Sequence, residues 1–278
     1  MANTAHLLVT AQHAALEAGK KIMEIYHSGD FRSYLKPGGS PYTTADESAH
    51  KIITQHLNKT KLPVLSEEGR YIDFGERKNW EYFWMIDPLD GTKEFINKNG
   101  EFTINIALVK KNIPFAGVIY VPCSETLYYG SKETGVYKSE KGKLLQFLPL
   151  AKRNRLNDIL QKKQTRVVVS RSHSSPETMD FLSRFQQVAI KSSGSSLKFM
   201  LLLENKADIY PRFGTTVEWD TVAAHAILNA SNRGVYQVNL KSELVYNKPG
   251  LKNLFFIAFK LFKKPRKLLS PVIIVIVF

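Results

Sequence analysis

The segment Trp84-Met-Ile-Asp87-Pro-Leu-Asp90-Gly-Thr92 places two carboxylates three residues apart, in a turn that follows an apolar run. Pro88 restricts the backbone there, and Gly91 lets a ligand come close to the main chain. A helix opening near Gly91-Thr92 offers free N–H groups to a phosphate. Ionised carboxylates only accept hydrogen bonds, so a pair of them facing an anionic substrate needs a cation in between. The alternative is a solvated turn with an aspartate cap. Two further segments repeat the pattern. Val64-Leu65-Ser66-Glu67-Glu68-Gly69 is a short apolar run ending in acids, and Val217-Glu218-Trp219-Asp220-Thr221 puts an aspartate at the start of an apolar helix. Taken singly, the first reads as a surface turn and the second as an ordinary helix cap. Taken together, acids at three element ends favour a cation site. With no His or Cys among the candidates, the all-oxygen set suits a hard ion, Mg²⁺ before Mn²⁺, rather than Zn²⁺.

The elements that must hold these acids follow from hydrophobic periodicity. Leu7, Ala11, Ala14, Ala18, Ile22 and Ile25 recur at helical spacing and predict an amphipathic helix over 4–27; Ala45, Ala49, Ile52, Ile53 and Leu57 predict a second over 44–58. Strand-like runs come next, at Leu62–Leu65, Tyr82–Ile86, Thr103–Val109, Phe115–Val121 and Leu127–Gly130, separated by turn residues. Helices followed by a run of strands imply an α+β half with a mostly antiparallel sheet over residues 1–150. From residue 151 the pattern becomes α/β. Strands at Arg166–Ser170, Ala207–Tyr210 and Val235–Val238 alternate with helices at Pro176–Phe185, Ser195–Glu204 and Thr221–Ala230. The boundary falls in the polar stretch Ala151–Gln164. Since the acids come from both sides of it, the halves 1–150 and 151–259 are expected to meet at the site.

Composition narrows the class. A chain of 278 residues that is 44% hydrophobic can bury a sizeable core. The single cysteine, Cys123, excludes an intrachain disulfide and reads as a packing residue, because no base stands at a readable spacing from it. The N-terminal helix is too interrupted by charge to be a secretory signal, so the expected location is cytoplasmic. The net charge of +14 fits a solvated basic surface, a field that draws in anionic substrates, or a nucleic-acid binder. No nucleic-acid-binding motif accompanies it, and no nucleic-acid partner is expected. Residues 260–278 are basic and then apolar, and the apolar run is shorter than the roughly 20 residues a spanning helix needs. The expected reading is a poorly ordered tail; the alternatives are packing on the domain and contact with a membrane surface.

Ser66-Glu67-Glu68, Asp87-Pro-Leu-Asp90-Gly-Thr92 and Trp219-Asp220-Thr221 resemble, in order and spacing, the three signatures of the inositol monophosphatase superfamily. The likeness extends to about Phe259. Gly91-Thr-Lys-Glu-Phe95, Glu101-Phe-Thr-Ile-Asn-Ile-Ala-Leu108, Ser170-Arg-Ser-His173 and Gly194-Ser-Ser-Leu-Lys198 are similar to its CysQ-type 3′(2′),5′-bisphosphate nucleotidases. The resemblance implies a layered αβαβα sandwich. It also implies one Mg²⁺ on Glu67, Asp87 and the carbonyl of Leu89, and a second on Asp87, Asp90 and Asp220. Asp46 would orient Thr92, and this pair would position and deprotonate the attacking water. The metals would activate that water and stabilise the leaving oxygen. Substrate contacts implied in the same way are Glu67, Gly91, Thr92, Ser170, His173, Ser195, Lys198 and Asp220; the plain readings of Ser195 as part of a helix cap and of His173 as a surface histidine stay open. The implied reaction is lithium-sensitive hydrolysis of the 3′-phosphate of adenosine 3′,5′-bisphosphate to AMP and phosphate, in sulfur metabolism, by a monomer or a homodimer. Rival readings are an inositol-phosphate or sugar-phosphate phosphatase on the same acids, and a nucleic-acid or membrane-surface binding protein.

Overall fold

The computed structural model of the chain describes residues 4–147, 156–171 and 175–260. His173 and the tail beyond Lys260 lie outside them. The first helix, α1 (Thr4–Ser28), buries Leu7, Ala11, Ala14, Ala18 and Ile22 along one stripe, as the spacing requires. A hairpin of β1 (Ser33–Leu35) and β2 (Pro41–Thr43) leads into α2 (Thr44–Asn58). Thr43 caps α2, and Asp46 reaches back to the Thr43 N–H at 2.8 Å. There follow β3 (Val64–Ser66), α3 (Phe74–Arg77), β4 (Tyr82–Asp90), α4 (Thr92–Ile96), β5 (Thr103–Lys110), β6 (Ile113–Val121), β7 (Thr126–Ser131), β8 (Gly135–Glu140) and β9 (Lys143–Phe147). Strands β3 to β9 form one sheet in sequence order; β3 and β4 run parallel and the other neighbours antiparallel.

The rest of the chain builds α5 (Leu156–Leu160), β10 (Thr165–Ser170), α6 (Pro176–Leu182), β11 (Val188–Ser193), α7 (Leu197–Leu203), β12 (Ile209–Arg212), α8 (Glu218–Ala230), β13 (Gly234–Gln237) and β14 (Phe256–Phe259). A second sheet has the order β11-β10-β12-β14-β13, in which β10 pairs parallel with both its neighbours and β14 antiparallel with both of its own. Several bounds differ from the sequence expectation. The helix expected from Ser195 begins at Leu197, because Ser195 stands at φ +46° and cannot continue an α-helix. The helix expected from Thr221 begins earlier, at Glu218, which makes Asp220 its third residue and not its cap. Pro176–Phe185 closes at Leu182, and the strand expected at Ala207–Tyr210 is shifted to Ile209–Arg212.

Strand periodicity creates the layers. In β4, Trp84 and Ile86 face α1 and α2, while Met85 faces the opposite way, toward α7, α8 and the second sheet. The first core joins Ala11, Ile53, Trp84 and Ile106; the second joins Met85, Val109, Val222, Ile227 and Phe256; the third joins Val167, Phe181 and Ile257 under α6. The result is helices, sheet, helices, sheet, helices: a layered αβαβα sandwich. Helix α8 sits at its centre. It approaches β6 so closely that a Cβ on Gly117 would lie 2.2 Å from the Ala223 carbonyl oxygen, so glycine is required there. No helix among the described residues is long and apolar enough to cross a membrane.

Candidate metal centre and substrate cleft

The acids converge at one end of these layers. β4 carries Asp87 opposite Asn105 of β5, and Asp90 opposite Thr103, with the pairing register shifting between them. The extra residue is a bulge, which turns both aspartates toward the same cleft. The Leu89 N–H donates to Asp87 Oδ1 at 3.1 Å. Gly91, at φ +95°, ends the strand where a Cβ would press on the backbone of Glu101 and Phe102. Glu67 follows β3, and its N–H donates to the Ile86 carbonyl at 3.1 Å, which fixes it beside β4. Asp220 enters from the first turn of α8, where its Oδ2 accepts the Val217 N–H at 2.8 Å.

Carboxylate oxygens of Glu67, Asp87 and Asp220 all lie within 4.8 Å of one another. Burial pushes the carboxyls of Asp87 and Asp220 well above the usual carboxylate range, and the neighbouring acids add to the rise. Such crowding calls for a compensating cation, and the donors are hard oxygens, so the site fits a divalent metal ion. Asp90 lines the same cleft. Its Oδ2 accepts hydrogen bonds from Ser195 Oγ at 2.7 Å and Asn105 Nδ2 at 3.2 Å. The Thr92 hydroxyl lies 3.0 Å from Asp46 Oδ1 and 3.3 Å from the Leu89 carbonyl oxygen. The other oxygen of Asp46 is bound by the Thr43 hydroxyl at 2.5 Å and the Thr43 N–H. Burial raises the Asp46 pKa, against the pull of these hydrogen bonds.

The cleft measures about 280 Å³ and is also lined by Gly91, Ser170, Ser195 and Lys198. Lys198 is buried, with Nζ 3.3 Å from the Ser193 carbonyl oxygen and 5.7 Å from the centre of the Tyr210 ring. Burial lowers its pKa to about 8; Asp90 offsets part of that fall, and Arg212 adds to it. Sequence reasoning passed over three participants. Lys36, in the turn between β1 and β2, bridges Glu67 at 2.7 Å and Glu68 at 2.6 Å. Asn105 and Thr103 support Asp90 and Ser195, the latter through a 2.5 Å contact between the Thr103 and Ser195 hydroxyls. Lys36 carried a turn signal, Lys-Pro-Gly-Gly, while Asn105 and Thr103 were visible only as polar residues interrupting an apolar strand.

The profile of the inositol monophosphatase family matches residues 3–253 of the chain. The chain belongs to this family. Within it, the sequence is of the CysQ type. It is 40% identical over 220 residues to the 3′(2′),5′-bisphosphate nucleotidase CysQ of Buchnera aphidicola subsp. Acyrthosiphon pisum, covering 78% of this chain and 79% of that one. It is 39% identical over 225 residues to the protein of the same name from Escherichia coli strain K12, covering 80% and 87%. The crystal structure of CysQ from Bacteroides thetaiotaomicron superposes with a TM-score of 0.78 at 42% identity, covering 91% of this chain and 96% of that one. The extragenic suppressor protein SuhB of Bartonella henselae, at 21% identity and a TM-score of 0.72, shares the fold.

Proposed function

We propose that this family member is a Mg²⁺-dependent 3′(2′),5′-bisphosphate nucleotidase. It hydrolyses the 3′-phosphate of adenosine 3′,5′-bisphosphate to AMP and phosphate, which clears a by-product of sulfate activation. The observation that carries the reading is the gathering of Glu67, Asp87 and Asp220 within 4.8 Å beside the Thr92–Asp46 pair. The names of the CysQ relatives support the choice of substrate. Glu67, Asp87, the Leu89 carbonyl, Asp90 and Asp220 would hold the cation, which supplies charge neutralisation and activation of water when bound. Thr92 Oγ accepts a hydrogen bond from the attacking water while donating to Asp46, whose carboxylate is held by two hydrogen bonds from Thr43. The water oxygen bonds to phosphorus as the P–O3′ bond breaks; one water proton stays on the released phosphate and the other ends on the 3′-oxygen, which leaves as the nucleoside hydroxyl. Gly91 and the first turn of α4 line the cleft, so their backbone N–H groups would be available to the reacting phosphate. Lys198, Ser195 and Ser170 line the cleft and would face the remainder of the nucleotide; His173 joins that group only through the family resemblance. The location fitting this role is the cytoplasm.

The test is phosphate release from adenosine 3′,5′-bisphosphate, inositol 1-phosphate and fructose 1,6-bisphosphate, with and without chelator. Expected are a preference for the nucleotide, loss of activity in EDTA and recovery with Mg²⁺, but not with Ca²⁺, whose looser coordination holds the phosphate less strictly. Full activity in metal-free buffer overturns the metal role; preference for inositol 1-phosphate overturns the substrate.

A further inference from the structure

The start of α8 is gripped from outside the cleft. Two residues before Asp220, the Glu218 side chain is completely buried. A buried carboxylate persists only where donors compensate it, and here they come from a single segment. Oε2 accepts the Asn247 N–H at 2.5 Å, Oε1 accepts the Lys248 N–H at 3.1 Å, and the Lys248 ammonium closes on the same oxygen. Asn247 stands at φ +58°, a conformation that asparagine tolerates. Its side chain is clamped by Arg77, which donates from Nη1 to Oδ1 at 2.6 Å and accepts from Nδ2 on its carbonyl at 2.9 Å. Arg77 is itself buried, and it donates to the carbonyls of Lys248, Pro249 and Ile72. It is the last residue of α3, in the stretch of chain that leaves Glu67 and returns to β4. A second set of hydrogen bonds pins the first turn of α8 itself. Glu218 N–H donates to the Leu251 carbonyl at 2.9 Å, and Asn253 Nδ2 donates to the Val217 carbonyl at 2.8 Å.

Glu67 and Asp220 arrive from different layers, yet both must stay in reach of Asp87 for the three acids to form one metal centre. We propose that Glu218, acting through Asn247 and Arg77, is a positioning residue that sets the distance between Glu67 and Asp220 and so tunes cation affinity. The network spans from the stretch after Glu67 to the helix of Asp220 without entering the cleft, so its effect falls on the placement of the ligands. The inference rests on the metal reading of the site.

The experiment measures Mn²⁺ and Mg²⁺ binding by titration calorimetry on the full chain, alongside melting curves and phosphate release as a function of metal concentration. Glu218→Gln keeps the shape and removes the charge; Asn247→Gly keeps the backbone conformation and removes the Arg77 clamp. Asp208→Asn, in the ion cluster with Lys162 and Arg166 at the start of β12, serves as a destabilised control. Expected is cation binding weakened about tenfold or more in Glu218→Gln and Asn247→Gly, the range seen when supporting partners of metal ligands are lost. Turnover should recover at saturating metal, and Asp208→Asn should bind as the wild type does. Lowered melting with wild-type affinity in both network variants would reduce the network to a support of the fold and overturn the inference. If Glu218→Gln does not fold, Asn247→Gly decides alone. Loss of binding in Asp220→Asn but not in the network variants refutes the inference and keeps the metal reading. A wild type that binds neither ion refutes both.

Discussion

Asp90 has a double engagement: its Oδ2 is held by Ser195 and Asn105 while the residue lines the cleft beside Asp87. Asparagine in its place keeps an acceptor for both partners and loses the charge a cation needs. Asp90→Asn should therefore melt like the wild type and lose turnover by a factor of about 10³ or more, several kcal/mol of transition-state stabilisation. Near-normal phosphate release from a well-folded variant would remove Asp90 from the ligand set. Lys198 presents the complementary case. A buried ammonium at the cleft wall suits the phosphate that does not react, and binding energy from that group helps to position the one that does. Lys198→Met preserves the volume and should reduce kcat/KM on adenosine 3′,5′-bisphosphate by about ten- to hundredfold, the worth of a charged hydrogen bond. Hydrolysis of a small monophosphate should change far less; an equal loss on both substrates would assign Lys198 to the common site. The acids were legible in the sequence because each stands at the end of an apolar element, Glu67, Asp87 and Asp90 after a strand-like run and Asp220 at the start of a helix, where side chains can converge on a cleft. Lys36 was not, since its partners Glu67 and Glu68 are distant in sequence and only the β1–β2 hairpin brings them together.

Helix α8 and strand β6 are matched surfaces, and Gly117 is where they touch. Gly117→Ala adds one methyl against the Ala223 carbonyl and must push the helix outward. Overpacking of this kind costs roughly 1–3 kcal/mol, and the displaced helix carries Asp220 with it. Melting and cation binding should fall together; a variant with normal stability would mean that α8 has slack the packing does not suggest. At this scale the long elements were readable. Helices α1 and α2 follow their apolar stripes, and β4 to β7 follow their buried runs. The shorter elements were less so. β11 is an edge strand whose Lys191 and Ser192 face solvent, so it lacks the apolar pattern that marks a strand. β8 and β9 extend the first sheet with mixed polar residues around Lys138 and Glu140. β14 is wholly buried, but its four residues, Phe256–Phe259, gave too short a run to separate from the segment after it.

Across the whole molecule, the two sheets share the core around α8, so charge far from the cleft still bears on the stability of the fold. Asp208 binds Lys162 at 2.8 Å, Arg166 Nη2 at 2.9 Å and the Arg166 N–H at 2.9 Å. Its burial opposes ionisation, but these donors prevail and hold the carboxyl well below its usual range. The native state thus binds fewer protons here than the unfolded chain, whose aspartate titrates near about 3.9. The resulting stability is present above that pH and is lost as the pH falls through the acid range below it. Asp208→Asn should lower stability by about 1–3 kcal/mol at pH 7, and the deficit should shrink on acidification below pH ~4. A deficit that is constant with pH would mean that the loss is one of packing. The cleft pulls the other way. Asp87, Asp220 and Glu67 crowd like charges into a buried space, so the bare protein holds a local repulsion that the three cores must outweigh. That sets a limit on mutational tolerance: with cation scarce, the chain lies nearer its unfolding threshold, and a core substitution harmless in the loaded protein can carry it across. The concentration of free divalent ion would then act as a filter on which sequence changes elsewhere in the molecule survive.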